Sequence, residues 1–259
     1  MKFKEILIRI LKNFDVVFRS QKKLNLLGFV LLRPIFRFFR MDETKLFCSI
    51  KDNILKLYDY NFLTRAKTLD FLFLSKFYEP EITKFILKQS GKIFLDIGGH
   101  IGRYAILASK RFIKVYTFEP HPLNFNQLIQ NLQYNNIKNV KAINCAISNK
   151  NGKVLLSNLE GKNTGGVCIT KKGEIKSRSY KLDTMIRNFS ISLKDIDLVM
   201  IDVECHEIEV LEGSINLLKN ESPTLIIECF EIDRIENFLS KYNYRKIYRL
   251  DFYNYVFKK

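Results

Sequence analysis

The 259-residue chain carries 43 Lys and Arg against 27 Asp and Glu, a formal charge of +16, with 47% hydrophobic and 27% charged residues. That balance excludes a disordered chain, and the length suits one large domain or, as favoured here, an ordinary domain with an extension. Five cysteines, odd in number, scattered and without a C-x-x-C pair, argue against a disulfide framework and for a reduced, intracellular protein.

Residues 1 to 40 hold ten Lys/Arg and two acids, and residues 41 to 80 hold six of each, so half the positive excess lies in the first forty. Such an arm can meet a membrane surface, a nucleic acid or an acidic glycolipid, or simply form a solvated face. Residues 1 to 20 repeat apolar side chains at helical spacing, from Phe3, Ile6 and Leu7 to Phe18, with a basic opposite face. Glu5, Arg9 and Lys12 interrupt the apolar centre that a secretory signal needs. The stretch Leu24 to Phe39 is shorter than the roughly 20 residues that span a bilayer, and Arg33, Pro34 and Arg37 break it. It reads as a helix packed on the main domain or as a monotopic anchor with its arginines at the headgroups. Further helices are expected over 44 to 90. A boundary near residue 80 then separates a basic, helical N-terminal extension (1–80) from an α/β domain (81–259). The expected location is cytoplasmic, with residues 1–40 able to touch the inner face of the membrane.

From residue 81 apolar runs alternate with helical patterns, which predicts βαβ units and a mainly parallel sheet. Strands are expected at 93–97, 113–118, 140–144, 198–203 and 225–229, and helices at 102–110, 122–135, 207–218 and 232–239. The polar stretch 148–180 has room for a hairpin. The last two runs, near 244–250 and 253–257, lie too close for a helical crossover and predict an antiparallel pair at the sheet edge.

Parallel sheets bind ligands at the carboxyl ends of their strands, so the residues just past each strand carry the chemistry. The first strand ends in Asp96 and the glycines Gly98, Gly99 and Gly102; the second ends in Glu119. An acid at that interval suits a ribose diol, which implies a nucleoside-containing ligand. A dinucleotide fingerprint would need glycines at 98, 100 and 103, but these positions read Gly, His and Arg. The spacing Asp96-x-Gly98-x-x-x-Gly102 instead resembles motif I of class I S-adenosylmethionine-dependent methyltransferases.

In order along the chain, DIGGHIGRYA, VYTFEPHPLNFNQL, NCAISNKNG, YKLDTMI, IDLVMIDVECHEIEVLEG and LIIECF resemble the FkbM family of methyltransferases over about residues 91 to 230. The resemblance implies a Rossmann-like class I methyltransferase fold with a seven-stranded, mainly parallel sheet closed by a C-terminal antiparallel hairpin. It also implies S-adenosyl-L-methionine as donor and, commonly, O-methylation of a sugar or another small hydroxylated acceptor. By motif match, Asp96, Gly98 and Gly102 line the methionine end of the donor, Glu119 the ribose, and Asn144 to Ala146 the adenine side. Asp202 and Glu204 face the reacting methyl group. Cys205 stands where members usually carry glycine, and the Gly99-His100 pair is also a departure; neither removes a residue that the donor site requires.

An alcohol acceptor needs its proton taken, and either Asp202 or Glu204 could do so, two residues apart on one side of an extended strand. The alternative is that one caps the helix starting near His206 and the other orders the loop. His100, His121 and His206 all follow strand ends, but their spacing makes no compact metal motif, and capping or surface roles suit them as well. Asn163-Thr164-Gly165-Gly166 either closes over substrate or is a plain turn. Asp183 is expected to fix the entry to the next helix. Two other whole-protein readings stand beside the small-molecule enzyme: an RNA or DNA methyltransferase using the basic arm, and a non-catalytic binder on the same fold. No nucleic-acid-binding module is recognisable in the sequence.

Overall fold

The computed structural model describes residues 53–66, 68–76, 78–158 and 163–259. The expected amphipathic segments at 1–20 and 24–39, and with them the membrane-contact reading, lie outside the described residues. No helix among the described residues is long and apolar enough to cross a membrane.

The described chain opens with a hairpin, β1 (Asn53–Leu57) and β2 (Tyr60–Thr64), where helices were expected. Its burial alternates along β2, with Tyr60, Phe62 and Thr64 inward, which is strand periodicity. The other edge of β2 is met by side-chain amides of α4 (Pro122–Tyr134) and its cap. Asn135 accepts from the Asn61 N–H at 2.9 Å and donates to the Asn61 carbonyl; Asn131 accepts from the Leu63 N–H at 2.7 Å; Gln127 donates to the Leu63 carbonyl at 2.9 Å. The spacing 127, 131, 135 is one helix face, so three amides stand in for a neighbouring strand and leave little of that edge open.

Two helices, α1 (Asp70–Phe73) and α2 (Pro80–Lys88), lead into β3 (Gly91–Ile97), α3 (Arg103–Ala108), β4 (Phe112–Phe118), α4 and β5 (Val140–Ile143). The chain then leaves the main sheet. β6 (Ala146–Ile147), β7 (Gly152–Leu156) and β8 (Ile175–Tyr180) form a separate three-stranded sheet, with β7 and β8 antiparallel as the polar stretch allowed. It returns through α5 (Leu182–Asn188) to β9 (Ile196–Ile201), α6 (Glu207–Glu212), α7 (Ile215–Asn220), β10 (Thr224–Glu228), α8 (Ile232–Ser240), β11 (Arg245–Arg249) and β12 (Asn254–Lys258).

The main sheet has the order β5-β4-β3-β9-β10-β12-β11. Every neighbouring pair from β5 to β10 is parallel, and only β12 runs against its neighbours. This is the mainly parallel sheet with an antiparallel end that the family resemblance implied. Alternate residues of the central strands enter two cores. Leu95, Ile97, Val199, Ile201, Leu225 and Ile227 meet the helices of the second half, whereas Phe94, Leu198, Met200 and Ile226 meet Ile82, Phe85 and Ile86 of α2 and Ala105 and Ala108 of α3. Burial on both faces explains the nearly continuous apolar runs of β3, β9 and β10.

One helix differs from expectation: residues 207–218 break at Gly213-Ser214 into α6 and α7. A Cβ on Gly213 would lie 2.1 Å from the Ser148 carbonyl oxygen, and the Gly213 carbonyl accepts the Asp183 N–H. The Asp183 carboxylate then accepts from the backbone N–H groups of Asn216 and Leu217, at 2.8 and 3.1 Å. Asp183 thus caps the start of α7, a structural part rather than a chemical one.

Strand order reverses between β3 and β9. The chain lays β4 and β5 to one side of β3 and comes back to build β9 and β10 on the other. The crevice at the carboxyl ends of these strands is where an open α/β sheet receives a ligand.

Candidate functional site

A cavity of about 210 Å³ opens at that switch point. Its floor begins with the glycine turn after β3. Gly98 and Gly102 have φ of +97° and +90°, and a Cβ on Gly98 would lie 1.7 Å from the Asp202 carbonyl oxygen. Only a residue without Cβ lets the ends of β3 and β9 come this close. The N–H groups of Gly98 and Gly99 both donate to the Phe118 carbonyl, at 2.9 and 3.0 Å, which ties the turn to the end of β4. Gly98 and Gly99 line the cavity.

Asp96 and Gly102 support the turn from beneath. Asp96 is buried, accepts the Thr117 hydroxyl at 2.8 Å, and has its carboxyl pushed up to about 6 by burial. Gly102 packs against Leu128 and Ile106. Neither is among the lining residues.

Glu119 closes β4 and does line the cavity. Its carboxylate accepts the His100 N–H through one oxygen and the His121 N–H through the other, each at 2.8 Å. Burial pushes its carboxyl up to about 7, against those two hydrogen bonds. Each oxygen keeps a second lone pair for a ligand hydroxyl. Asn144 turns away from the cavity and donates to the carbonyls of Glu119 and Pro120, at 2.8 and 3.2 Å, so it fixes the turn that carries Glu119. Cys145, Ala146 and Ile147 supply apolar wall beside it.

On the other side of the switch point, β9 stops at Ile201, before Asp202. The extended-strand argument for Asp202 and Glu204 therefore fails. Asp202 hangs from the Ile97 carbonyl by its N–H at 2.9 Å, and Glu204 and Cys205 take left-handed backbone, φ 52° and 66°. That tight turn nevertheless brings both Asp202 and Glu204 to the cavity wall. Two acids that the sequence reading left unassigned join them: Glu228 at the end of β10, and Glu79, which sits in left-handed backbone at φ 45° just before α2. Burial, then Glu228, Glu79 and Glu204, hold the Asp202 carboxyl well above the usual carboxylate range. Glu204 is pushed up to about 7 by burial, then by Glu228 and Glu207. Glu79 is pushed up to about 7, chiefly by burial, although it accepts the Tyr104 hydroxyl.

Cys205 sits in left-handed backbone, a conformation that suits glycine. Replacing it with glycine removes the steric cost of that conformation and stabilises the fold by about 0.5–1 kcal/mol, whereas Cys205→Val destabilises it by about 1–2 kcal/mol, since a β-branched residue tolerates positive φ poorly. Urea denaturation of the two variants, with opposite shifts in midpoint, is the check.

The Asn163–Gly166 segment forms part of the cavity wall and is fastened by a polar network. Arg65 grips the buried Asp70 with two guanidinium hydrogen bonds at 2.8 Å and also donates to Asn124 Oδ1 and Thr164 Oγ1, each at 2.9 Å. Asn124 donates to the Thr164 carbonyl at 2.8 Å. His100, left-handed at φ 47°, has its Nε2 3.0 Å from Thr164 Oγ1 and its ring edge-on to Phe73, with centroids 5.1 Å apart. Burial draws its pKa down to about 4, so the ring is neutral at physiological pH and serves this network. Arg65 and Asn124 carried no signal in the sequence: Asp70 lies five residues from Arg65, but Asn124 and Thr164, which tie the pair to the cavity wall, are remote from it in the chain.

The other two histidines do not line the cavity. His206 pairs with Ser148 Oγ at 2.8 Å, and His121 is buried with its Nδ1 unpartnered. Among the described residues no three His, Cys, Asp or Glu side chains are grouped so as to hold one metal ion.

Residues 96–246 match the family model described as the methyltransferase FkbM domain. Among curated proteins, the chain is 24% identical over 144 residues to the hexuronic acid methyltransferase AglP of Haloferax volcanii, covering 55% of this chain and 59% of that one. It is 27% identical over 157 residues to the methyltransferase sdnD of Sordaria araneosa, covering 48% and 61%. The matched stretch thus spans about three fifths of the length of these relatives. Among solved structures, an FkbM methyltransferase from Methylobacillus flagellatus superposes with a TM-score of 0.46 at 16% identity, covering 66% of this chain and 44% of that one.

Proposed function

Because the chain belongs to the FkbM methyltransferase family, we propose that it methylates a hydroxyl group of a saccharide or similar small acceptor, with S-adenosylmethionine as donor. The observation that carries this reading is the division of one cavity into two chemically different walls: the glycine turn with Glu119, and a group of carboxylates at the ends of β9 and β10.

The first wall fits the donor. Gly98 and Gly99 line it as a tight turn that their close approach to Asp202 and Thr117 requires, Glu119 keeps free lone pairs for a diol, and Cys145 to Ile147 with Leu156 and Ile169 form an apolar slot for a flat base. In this reading Asp96, Gly102 and Asn144 act from one layer below, by fixing the turns that carry the lining groups. When bound, the donor supplies a methyl group already activated on a sulfonium.

The chain's own task is then alignment and proton removal. Glu204 or Asp202 takes the acceptor hydroxyl proton; the Glu204 carboxyl, raised to about 7, suits a base that works near neutral pH, and the proton affinity of Asp202 is raised as well. The Asn163–Gly166 wall, pinned through Thr164, keeps water from the site. The saccharide reading is supported by the printed activity of the Haloferax volcanii relative, a hexuronic acid methyltransferase.

The test is incubation with methyl-labelled donor and fractionated cellular polysaccharide, glycolipid and RNA. Label is expected in a saccharide-containing fraction and in alkali-stable ether linkage. Label in RNA alone would replace this reading with the nucleic-acid one, and no donor binding by calorimetry would leave a non-catalytic protein on the same fold.

A further inference from the structure

The cavity's charge is uneven, and the unevenness bears on what it accepts. Gly98, Glu119 and Ala146 mark the half over β3, β4 and β5. What remains is the half over β9 and β10, and four carboxylate side chains line it: Asp202, Glu204, Glu228 and, from the segment before α2, Glu79. The four are close enough to act on one another: Glu228 and Glu79 both raise the proton affinity of Asp202, and Glu228 raises that of Glu204 and Glu79.

Among the described residues the one permanent cation of the lining is Arg103, and it is committed elsewhere. It is buried, and its two terminal nitrogens donate to the Phe73 carbonyl, to the Ser75 carbonyl at 3.1 Å, to the Tyr78 carbonyl at 2.7 Å and to Thr83 Oγ1 at 2.9 Å. Only its Nε–H is left without a partner, a single donor that suits a hydroxyl oxygen and lacks the two-pronged geometry with which arginine holds a carboxylate. His100 is neutral and engaged with Thr164. Above about pH 7, where Glu79 and Glu204 ionise, these acids offer many hydrogen-bond acceptors and a negative potential, and among the described lining residues no free cation neutralises an anion.

We infer that the acceptor ring carries no negative charge, being a neutral or amine-bearing sugar, and that Glu79, Asp202, Glu204 and Glu228 reject carboxylated rings such as uronic acids. Hydroxyl and ammonium groups donate to these carboxylates, so a polyol or an amino sugar is held by charge-assisted hydrogen bonds. A ring carboxylate in the same space meets like charges, a juxtaposition that disfavours its binding. This rests on the methyltransferase reading above, takes only the saccharide class from the Haloferax volcanii relative, and departs from that hexuronic acid methyltransferase in excluding the acid itself.

A pair of probes that differ in charge and by one methyl group tests it: methyl glucuronide and the methyl ester of the same glucuronide. Binding of each to the full chain is followed by saturation-transfer NMR, which registers millimolar ligands, in the presence of S-adenosylhomocysteine. The ester is expected to bind at least about tenfold more tightly than the acid at pH 8. The gap is expected to shrink to about threefold or less in the Glu204→Gln/Glu228→Gln protein. Binding of the acid within about twofold of the ester, or of neither, overturns the inference. An undiminished gap in the doubly substituted protein likewise overturns the role given to these side chains. Calorimetry of S-adenosylmethionine on the same samples separates the two levels. Intact donor binding with no charge preference sinks the acceptor inference alone, and absent donor binding sinks the methyltransferase reading together with it.

Discussion

Glu119→Ala lowers affinity for S-adenosylmethionine at pH 8 by at least about 100-fold, measured by calorimetry. Two hydrogen bonds from a diol to an ionised carboxylate are worth about 1.5–3 kcal/mol each, and about 2.7 kcal/mol already corresponds to a hundredfold. Alanine also removes the acceptor for the His100 and His121 N–H groups, which loosens the glycine turn at the same time. Glu119→Gln separates the two effects. It keeps the volume of the side chain and one acceptor oxygen, so one of the two backbone hydrogen bonds survives while the charge is gone. The stability profile moves in a definite direction. Glu119 holds its proton up to about pH 7 in the folded protein against an ordinary value of 4.5, so the folded state binds more protons between those values and stability falls as pH rises through that window. For this buried group the loss reaches about 3 kcal/mol by pH 8. The glutamine protein lacks that part of the fall, and its melting temperature relative to wild type climbs between pH 5 and pH 8. An unchanged donor affinity in both variants would remove Glu119 from the donor site.

The parallel sheet was legible because its strands are buried on both faces and alternate with helices at short intervals. β3, β9 and β10 are apolar almost without interruption, and their partners follow within one βαβ unit. The rule that strand ends carry chemistry led to the glycine turn, Glu119 and Asp202. Applied once more it reaches Glu228, an acid closing an apolar strand in the same way. The hairpin at 53–64 was missed for a local reason: its two-residue turn is Tyr58-Asp59, with Tyr58 at φ 53°, and carries none of the glycine or asparagine that marks such turns. The surroundings of β2 are equally hidden, since the amides of Gln127, Asn131 and Asn135 that satisfy it lie more than sixty residues away. Glu79 and Arg103 belong to the same class. Nothing near Glu79 marks a site; it reaches the cavity because Arg103 gathers the carbonyls of residues 73, 75 and 78 and fixes the path of the chain before α2.

Of Glu204→Gln and Asp202→Asn, the one that removes the base is expected to lower kcat by about 10²–10⁴-fold, the range for removal of a general base, with the donor dissociation constant changed by less than about threefold in both. The two side chains differ in a way that pH separates. Glu204 holds its proton up to about 7, and a base must be ionised to act. If Glu204 is the base, kcat falls about tenfold per pH unit below that value and is level above it. Asp202 lies beside Glu228, Glu79 and Glu204 and is held well above the usual carboxylate range. If it is the base, the rise of the rate with pH follows the ionisation of Asp202 and departs from the profile set by Glu204. The substitution at the true base should flatten the profile, and the substitution at the other acid should shift it toward lower pH, because removing one negative neighbour makes the remaining carboxyl easier to ionise. A purely structural role for this pair predicts something else. Loss of activity would then track loss of donor binding and of melting temperature, and neither substitution would move the pH profile. A single-turnover measurement with labelled donor, run from pH 5.5 to 9 on all three proteins, distinguishes these outcomes.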